Sequence, residues 1–150
     1  ALGQRKEDIV MTAGQLLERI KLTGAYLNSQ DNRCTSQPMF CVQRKVRDVG
    51  YDADYATGNC WRDSANEETI FDDDKDFKGE PEGDEWEHFG YVDRWETVMV
   101  AFTQAGCDEY LLLNGHNDRR IAHNGEVRIY VESFYRCPEM IAIREYLKSL

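Results

Sequence analysis

GYVDRWETVMVAFT (residues 90–103) alternates along its length. In an extended chain Trp95, Thr97, Met99 and Ala101 share one side, and Val98, Val100 and Phe102 share the other. Both sides are apolar, which predicts a central strand covered on each face. The next residues, TQAGCDEYLLLNGH (103–116), read as a short helix. Thr103 is placed to cap its start, and Asn114-Gly115 to end it near residue 113 in a left-handed turn. EVRIYVESF (126–134) then alternates again, with Val127, Ile129 and Val131 facing in and Arg128, Tyr130 and Glu132 facing out. Pro138 suits the first turn of a last helix over 138–149, with Met140, Ile143, Leu147 and Leu150 as its stripe.

Upstream, Thr12 and Gln15 have capping-box spacing, and Leu16, Leu17, Ile20, Gly24 and Leu27 recur at helical intervals, which predicts a helix over 13–27. Residues 28–38 read as loop. A strand is expected over 39–49, with Phe40, Val42 and Val46 on one side and Cys41, Gln43, Lys45 and Arg47 on the other. A short strand over 59–63 follows the turn-rich DVGYDADYATGN. The order αβββαβα defines an α+β domain over residues 12–150: a mostly antiparallel sheet of about four strands with three helices packed on it. Residues 1–11 are set apart as an N-terminal extension.

The formal net charge of −10 is concentrated in one place. Residues 63–87, DSANEETIFDDDKDFKGEPEGDEWE, hold twelve of the 28 acids and two of the 18 bases, which leaves sixteen of each elsewhere. This acidic insert, read as a long loop, is either a solvated solubilising segment or a docking surface for a basic protein. Asp72, Asp73, Asp74, Asp76, Glu80, Glu82, Asp84 and Glu85 would supply the field, and Phe71, Phe77 and Trp86 the anchors. Such an array can imitate the phosphates that a nucleic-acid-binding protein expects.

Other constellations carry weaker chemistry. Asn114, His116, Asn117, Arg119 and Arg120 form a polar run after the expected helix end, where arginines could hold a phosphate or carboxylate. Lys45, Arg47, Arg128 and Tyr130 point to the outward side of their strands, a basic face with an aromatic that would suit single-stranded nucleic acid. Asp74 to Glu85 approaches a calcium loop, but Lys78 stands where an oxygen ligand belongs. Cys107 and His116 raise a nucleophile–base pairing, against which stands a buried structural cysteine. The five cysteines, Cys34, Cys41, Cys60, Cys107 and Cys137, lack metal-ligand spacing and follow no secretory leader, so free thiols, no metal and no cofactor are expected. No apolar run is long enough to span a bilayer. No hydrolase, zinc-protease or phosphate-loop motif is present, and the chain reads as non-enzymatic.

Residues 90–117 and 128–147, with NSQDNRC (28–34), the strand at 39–47 and the YDADY turn (51–55), resemble a group of small tailed-phage and prophage proteins of unknown function. The resemblance spans about 12–150 and rests on no activity-defining motif. It implies a cytoplasmic protein of a bacterial host, an accessory factor of a phage, and carries over no catalytic residue.

Overall fold

The structure is a computed structural model that describes residues 10–150, the side chain of Ala53 excepted. The extension expected at residues 1–11 lies, apart from Val10 and Met11, outside the described residues. Three helices, α1 (Ala13–Ser29), α2 (Gln104–Ile121) and α3 (Pro138–Lys148), accompany five strands: β1 (Pro38–Tyr51), β2 (Gly58–Asp63), β3 (Glu68–Phe71), β4 (Trp86–Ala101) and β5 (Val127–Ser133). The strands form one antiparallel sheet in the order β3-β2-β4-β1-β5. The α+β class and the expected succession of elements hold. One further strand, β3, comes from within the acidic insert.

β4 takes the middle of the strand order, but it is not covered on both faces as expected: Thr97 is exposed and Val100 is 50% exposed, and the strand starts at Trp86 rather than near 95. β5 takes an edge; Tyr130 and Glu132 are exposed as expected, whereas Arg128 is part-buried. The chain divides into two compact units. One contains residues up to Val42, Val98–Gly115 and Ile129–Leu150; the other contains Gln43–Thr97 and His116–Arg128.

In the first unit Leu27, Phe40, Cys41, Val42, Cys107 and Phe134 are buried. The capping box at Thr12 forms as read: the Gln15 amide donates to Thr12 Oγ1 at 3.2 Å, and the Thr12 amide donates to Gln15 Oε1 at 2.9 Å. Along α1 only Gly24 and Leu27 are buried, while Leu16, Leu17 and Ile20 are left open. Gly24 is where α3 comes closest: a Cβ there would stand 2.0 Å from the Leu147 carbonyl oxygen. Asn28 closes the contact by donating to the Lys148 carbonyl at 2.9 Å.

In the second unit β2 pairs with β3 on one side, Cys60 opposite Phe71 and Asp63 opposite Glu68, and with β4 on the other, Gly58 opposite Tyr91 and Asp63 opposite Trp86. The β2–β3 turn is built by Asp63, which is buried. Its carboxylate accepts from the amides of Ala65 (3.0 Å) and Asn66 (3.3 Å) and from Asn66 Nδ2 (2.7 Å). Short polar side chains bond their own following backbone in this way, and the left-handed position of the turn is taken by Glu67, at φ 52°. Asp63, counted among the insert's acids, therefore closes a hairpin. Residues 63–87 are not one open loop.

Gly24→Val is expected to destabilise the protein by about 2 kcal/mol or more, since the carbonyl it meets is backbone and cannot yield without moving α3. Gly14→Ala, whose added Cβ meets nothing nearer than 4.0 Å, is expected to be neutral or to stabilise by up to about 1 kcal/mol. Urea unfolding of the two variants against the parent chain measures both.

Candidate functional site

Among the described residues a dense cluster of charge lies on a face of the sheet in the second unit, around Arg47 of β1. Its side chain is only 2% exposed although it carries a full charge. Two carboxylates grip it. Asp93 of β4 accepts from Nε at 2.7 Å and from Nη2 at 2.9 Å. Asp73, just past β3, accepts from Nη1 and Nη2, each at 2.8 Å. Both pairings are bidentate, the geometry that the planar guanidinium fork favours. The Tyr91 ring lies under the guanidinium at 3.8 Å and the Phe71 ring at 4.8 Å.

The neighbouring groups complete the anchorage. Tyr91 donates its hydroxyl to Asp72 Oδ1 at 2.5 Å, and Asp72 Oδ2 accepts the Asn59 amide at 2.9 Å. Asp74 Oδ2 accepts the Phe71 amide at 2.9 Å, which tightens the turn after β3. Lys45 lies 3.5 Å from Asp93 and 2.9 Å from Glu126. His123 meets Phe71 edge-on at 5.3 Å, and its buried Nε2 has no hydrogen-bond partner among the described residues. Further along the same face Arg128 donates to Gln43 at 2.9 Å and stacks on Trp95 at 4.0 Å. Gln43 in turn donates to Thr97 at 3.0 Å.

These contacts set the protonation states. Burial works against the Arg47 charge, but the bonds to Asp73 and Asp93 outweigh it and hold the guanidinium charged. The same bonds keep both carboxyls below the usual carboxylate range. Burial, with the bond to Asp72, raises the Tyr91 phenol, which stays a proton donor. Burial also lowers His123, aided by the nearby Arg47 charge, so its imidazole stays neutral more readily than a free one. Burial pushes the Cys41 and Cys60 thiols up and that of Cys107 to about 12, the opposite of an activated nucleophile.

The structure sorts the residues singled out from sequence. Asp72, Asp73 and Asp74 turn inward to bond the body, and Phe71 packs between Tyr91 and His123. Asp76, Glu80, Glu82, Asp84 and Glu85 are exposed and form no hydrogen bond or ion pair among the described residues; Phe77 and Trp86 are half-buried. The outward basic strand face does not exist as read: Lys45 and Arg47 are spent on Asp93, Asp73 and Glu126, and Arg128 is folded onto Trp95. Tyr130 alone of that set is exposed.

The polar run at 114–120 is not a turn after a helix but the last two turns of α2. The helix runs through Asn114-Gly115, and Gly115 and Asp118 are its buried residues there. Packing of their side outweighs the roughly 1 kcal/mol that an interior glycine costs. Asn114, His116, Asn117, Arg119 and Arg120 point away from it and are exposed. Arg120 donates to Asn117 at 2.9 Å, so the run spends its groups partly on itself rather than converging on a ligand. Among the described residues no three His, Cys, Asp or Glu side chains are grouped to hold a metal ion, the Asp74–Glu85 stretch included.

Sequence reading missed Arg47, Tyr91, Asp93 and His123 as a unit. The available signal was opposite charge at alternate positions of two strands, Lys45 and Arg47 on one and Asp93 on the other, a pattern that favours cross-strand pairing. Comparison of the chain with protein-family models, with curated proteins and with solved structures found no match.

Arg47→Met is expected to cost about 3 kcal/mol, because it leaves the part-buried Asp93 with Lys45, at 3.5 Å, in place of a bidentate guanidinium. Asp73→Asn, at a carboxylate whose side chain is 46% exposed, is expected to cost about 1 kcal/mol or less. Acid should act in two stages. A neutral, depressed His123 disfavours the proton in the folded state, so stability falls first as pH drops through the free histidine range near 6.5. Depressed Asp73 and Asp93 stabilise above the free carboxyl range, and that contribution is lost as pH falls through their lower folded values. Chemical denaturation from pH 8 to pH 3 should show both stages in the parent chain, only the second in His123→Leu, and a much reduced second stage in Arg47→Met.

Proposed function

We propose that this chain is a non-enzymatic binding protein that docks a basic protein partner on the acidic arm at residues 74–87. Its base is fastened by Arg47. The observation that carries this reading is the division of labour among the insert's carboxylates. Asp63, Asp72, Asp73 and Asp74 are spent on internal bonds. Of the other eight, Asp76, Glu80, Glu82, Asp84, Glu85 and Glu87 face solvent within residues 74–87, accompanied there only by Lys75 and Lys78, and Glu67 and Glu68 face solvent on the β2–β3 hairpin. Charges crowded within about a Debye length repel each other and act outward as one field. A segment clamped at its base presents that field at a fixed place, which favours steering of a cationic surface. Phe77 within the arm and Trp86 at its junction with β4, both half-buried, are the side chains suited to give a partner apolar contact; Phe71 is committed to the interior. The resemblance to small phage proteins agrees with an accessory factor of this kind, whose partner would be a host or phage nucleic-acid-processing or defence protein occluded by acidic mimicry.

The competing readings draw less support. A nucleic-acid platform on the strand face needs cations that are here paired with carboxylates or stacked on Trp95. A small-molecule site at 114–120 needs convergence, and those side chains line the outside of a helix.

A variant with Asp76, Glu80, Glu82, Asp84 and Glu85 changed to Asn or Gln is expected to fold with stability within about 1 kcal/mol of the parent, since exposed charges contribute little. Capture from a bacterial lysate, followed by kinetics on the purified partner, should show salt-sensitive binding whose association rate falls roughly tenfold or more in the variant. Equal partner recovery by both proteins would reduce the arm to a solubilising segment. Direct binding of the parent chain to DNA or RNA would favour the platform instead.

A further inference from the structure

Two helices of the first unit leave part of their apolar rows open. The stripe of α1 is buried at Gly24 and Leu27, but toward its start Leu16, Leu17 and Ile20 continue that stripe and stay exposed. In α3 the stripe expected from sequence is only partly packed. Met140 and Leu147 are half-buried, whereas Ile143 and Leu150 are exposed, with Tyr146 beside them. All six open residues are between 40% and 64% exposed.

A single exposed leucine is ordinary on a protein surface, whereas a joined apolar patch is informative. The two rows flank one crossing. α1 and α3 meet where a Cβ on Gly24 would stand 2.0 Å from the Leu147 carbonyl oxygen. Ile20 and Leu17 lie about one and two turns from Gly24 along α1, and Ile143, Tyr146 and Leu150 lie within about a turn of Leu147 along α3. The first half of α1 is tied to the body by the ion pair of Arg19 with Glu109, not by its leucines. Helices in proteins draw most of their stability from packing of the apolar side, and here that side is unpacked over two turns.

Area and charge indicate what covers it. The six residues leave roughly 500 Å² of largely apolar surface open, the upper end of what a typical monomer shows. One side of a stable interface buries about 800 Å², of which about 60% is apolar, so the patch matches the apolar share of one partner. The charge permits self-association. The first unit holds nine acids and eight bases, against nineteen acids and ten bases in the second. Repulsion from the net charge of −10 is therefore not seated in the unit that carries the patch, and a cationic partner finds no net field there. Glu18 with Lys21 on α1, and Glu145 with Lys148 on α3, put both signs beside the open rows, and a mixed rim can be self-complementary where a rim of one sign cannot.

We propose that α1 and α3 form the interface of a closed homodimer, in which a twofold axis brings the open rows of two copies together. Such a contact is isologous: each copy offers the same patch and covers the other's. It uses residues of the first unit and none of the acidic arm, so it stands or falls separately from the partner-binding reading.

Light scattering or sedimentation of the full chain from about 1 to 100 μM, at low and at high salt, reads the mass directly. Twice the mass of one chain is expected in the upper part of that range, with no growth beyond it and little dependence on salt, since the contact is apolar. The unfolding midpoint should rise with protein concentration. One variant carries Leu17→Glu with Ile20→Glu, and a second carries Ile143→Glu with Tyr146→Glu. Both place charges at exposed positions and are expected to fold, and each should weaken dimerisation about thirtyfold or more. A parent chain that stays monomeric throughout, whatever else it binds, would overturn the proposal. So would a dimer undiminished in both variants, or association that grows past two copies, the mark of an open, heterologous contact. Unfolding of both variants would show these side chains to be internal and would overturn it equally.

Discussion

A guanidinium with 2% of its side chain exposed must be neutralised where it lies, and at Arg47 this requirement organises its surroundings. One carboxylate, Asp93, comes from the adjacent strand β4 and takes the Nε side of the group. The remaining donors face away from the strand pair, and only a residue arriving from elsewhere can meet them. Asp73 does so, and to place it the chain after β3 must fold back over the sheet face. The Tyr91 and Phe71 rings against the guanidinium then follow from the same geometry, since a desolvated cation is attracted to aromatic faces. The hydrogen bonds of Asp72 and Asp74 fix the turn in the position that Asp73 requires.

The clamp divides one acidic segment into two kinds of carboxylate. Those near its base are held in bonds and have lost the freedom to answer a partner. Those beyond it stay hydrated and close together, at a cost in mutual repulsion, the arrangement that the proposed partner binding would use. Fixing the base offsets part of the ordering entropy that a free loop would lose on binding. Coupling between the two parts is physical: loss of the Arg47 pairing would free the arm's base, and acid, acting through His123 and then the carboxylates, pushes in the same direction.

Elements set by local pattern were legible from the residues. The capping box at Thr12 and the strands over 95–102 and 127–132 each depend on near neighbours, and all three elements appear, although Val100 is left 50% exposed and Arg128 is part-buried. What escaped depends on distant partners. Lys45 and Arg47 look like exposed strand cations until Asp93 and Asp73 are brought beside them. The run of aspartates at 72–74 has the composition of a solvated loop, and nothing local says that three of them bond inward. Asn114-Gly115 carries a helix-stop signal that the packing of Gly115 and Asp118 overrides. Arg144 lies outside the apolar stripe expected for the last helix, yet it is 2% exposed, while Ile143 of that stripe is 42% exposed. The candidate site was thus legible as a segment, in its charge, and not as a geometry.

Amide hydrogen exchange across residues 57–87, in the parent chain and in Arg47→Met, tests the clamp most directly. The bonds from the Asp72 amide to the Asn59 carbonyl and from the Asn59 amide to the Asp72 carboxylate, each 2.9 Å, should make both amides exchange slowly in the parent chain. Amides of the arm's tip, residues 78–85, should exchange close to the rate of a free peptide. In Arg47→Met the protection at Asn59 and Asp72 should fall by a larger factor than that of the β2–β4 amides around Cys60 and Phe89. Free-peptide exchange at Asn59 and Asp72 in the parent chain, or protection unchanged by the loss of Arg47, would contradict an arm held by this guanidinium.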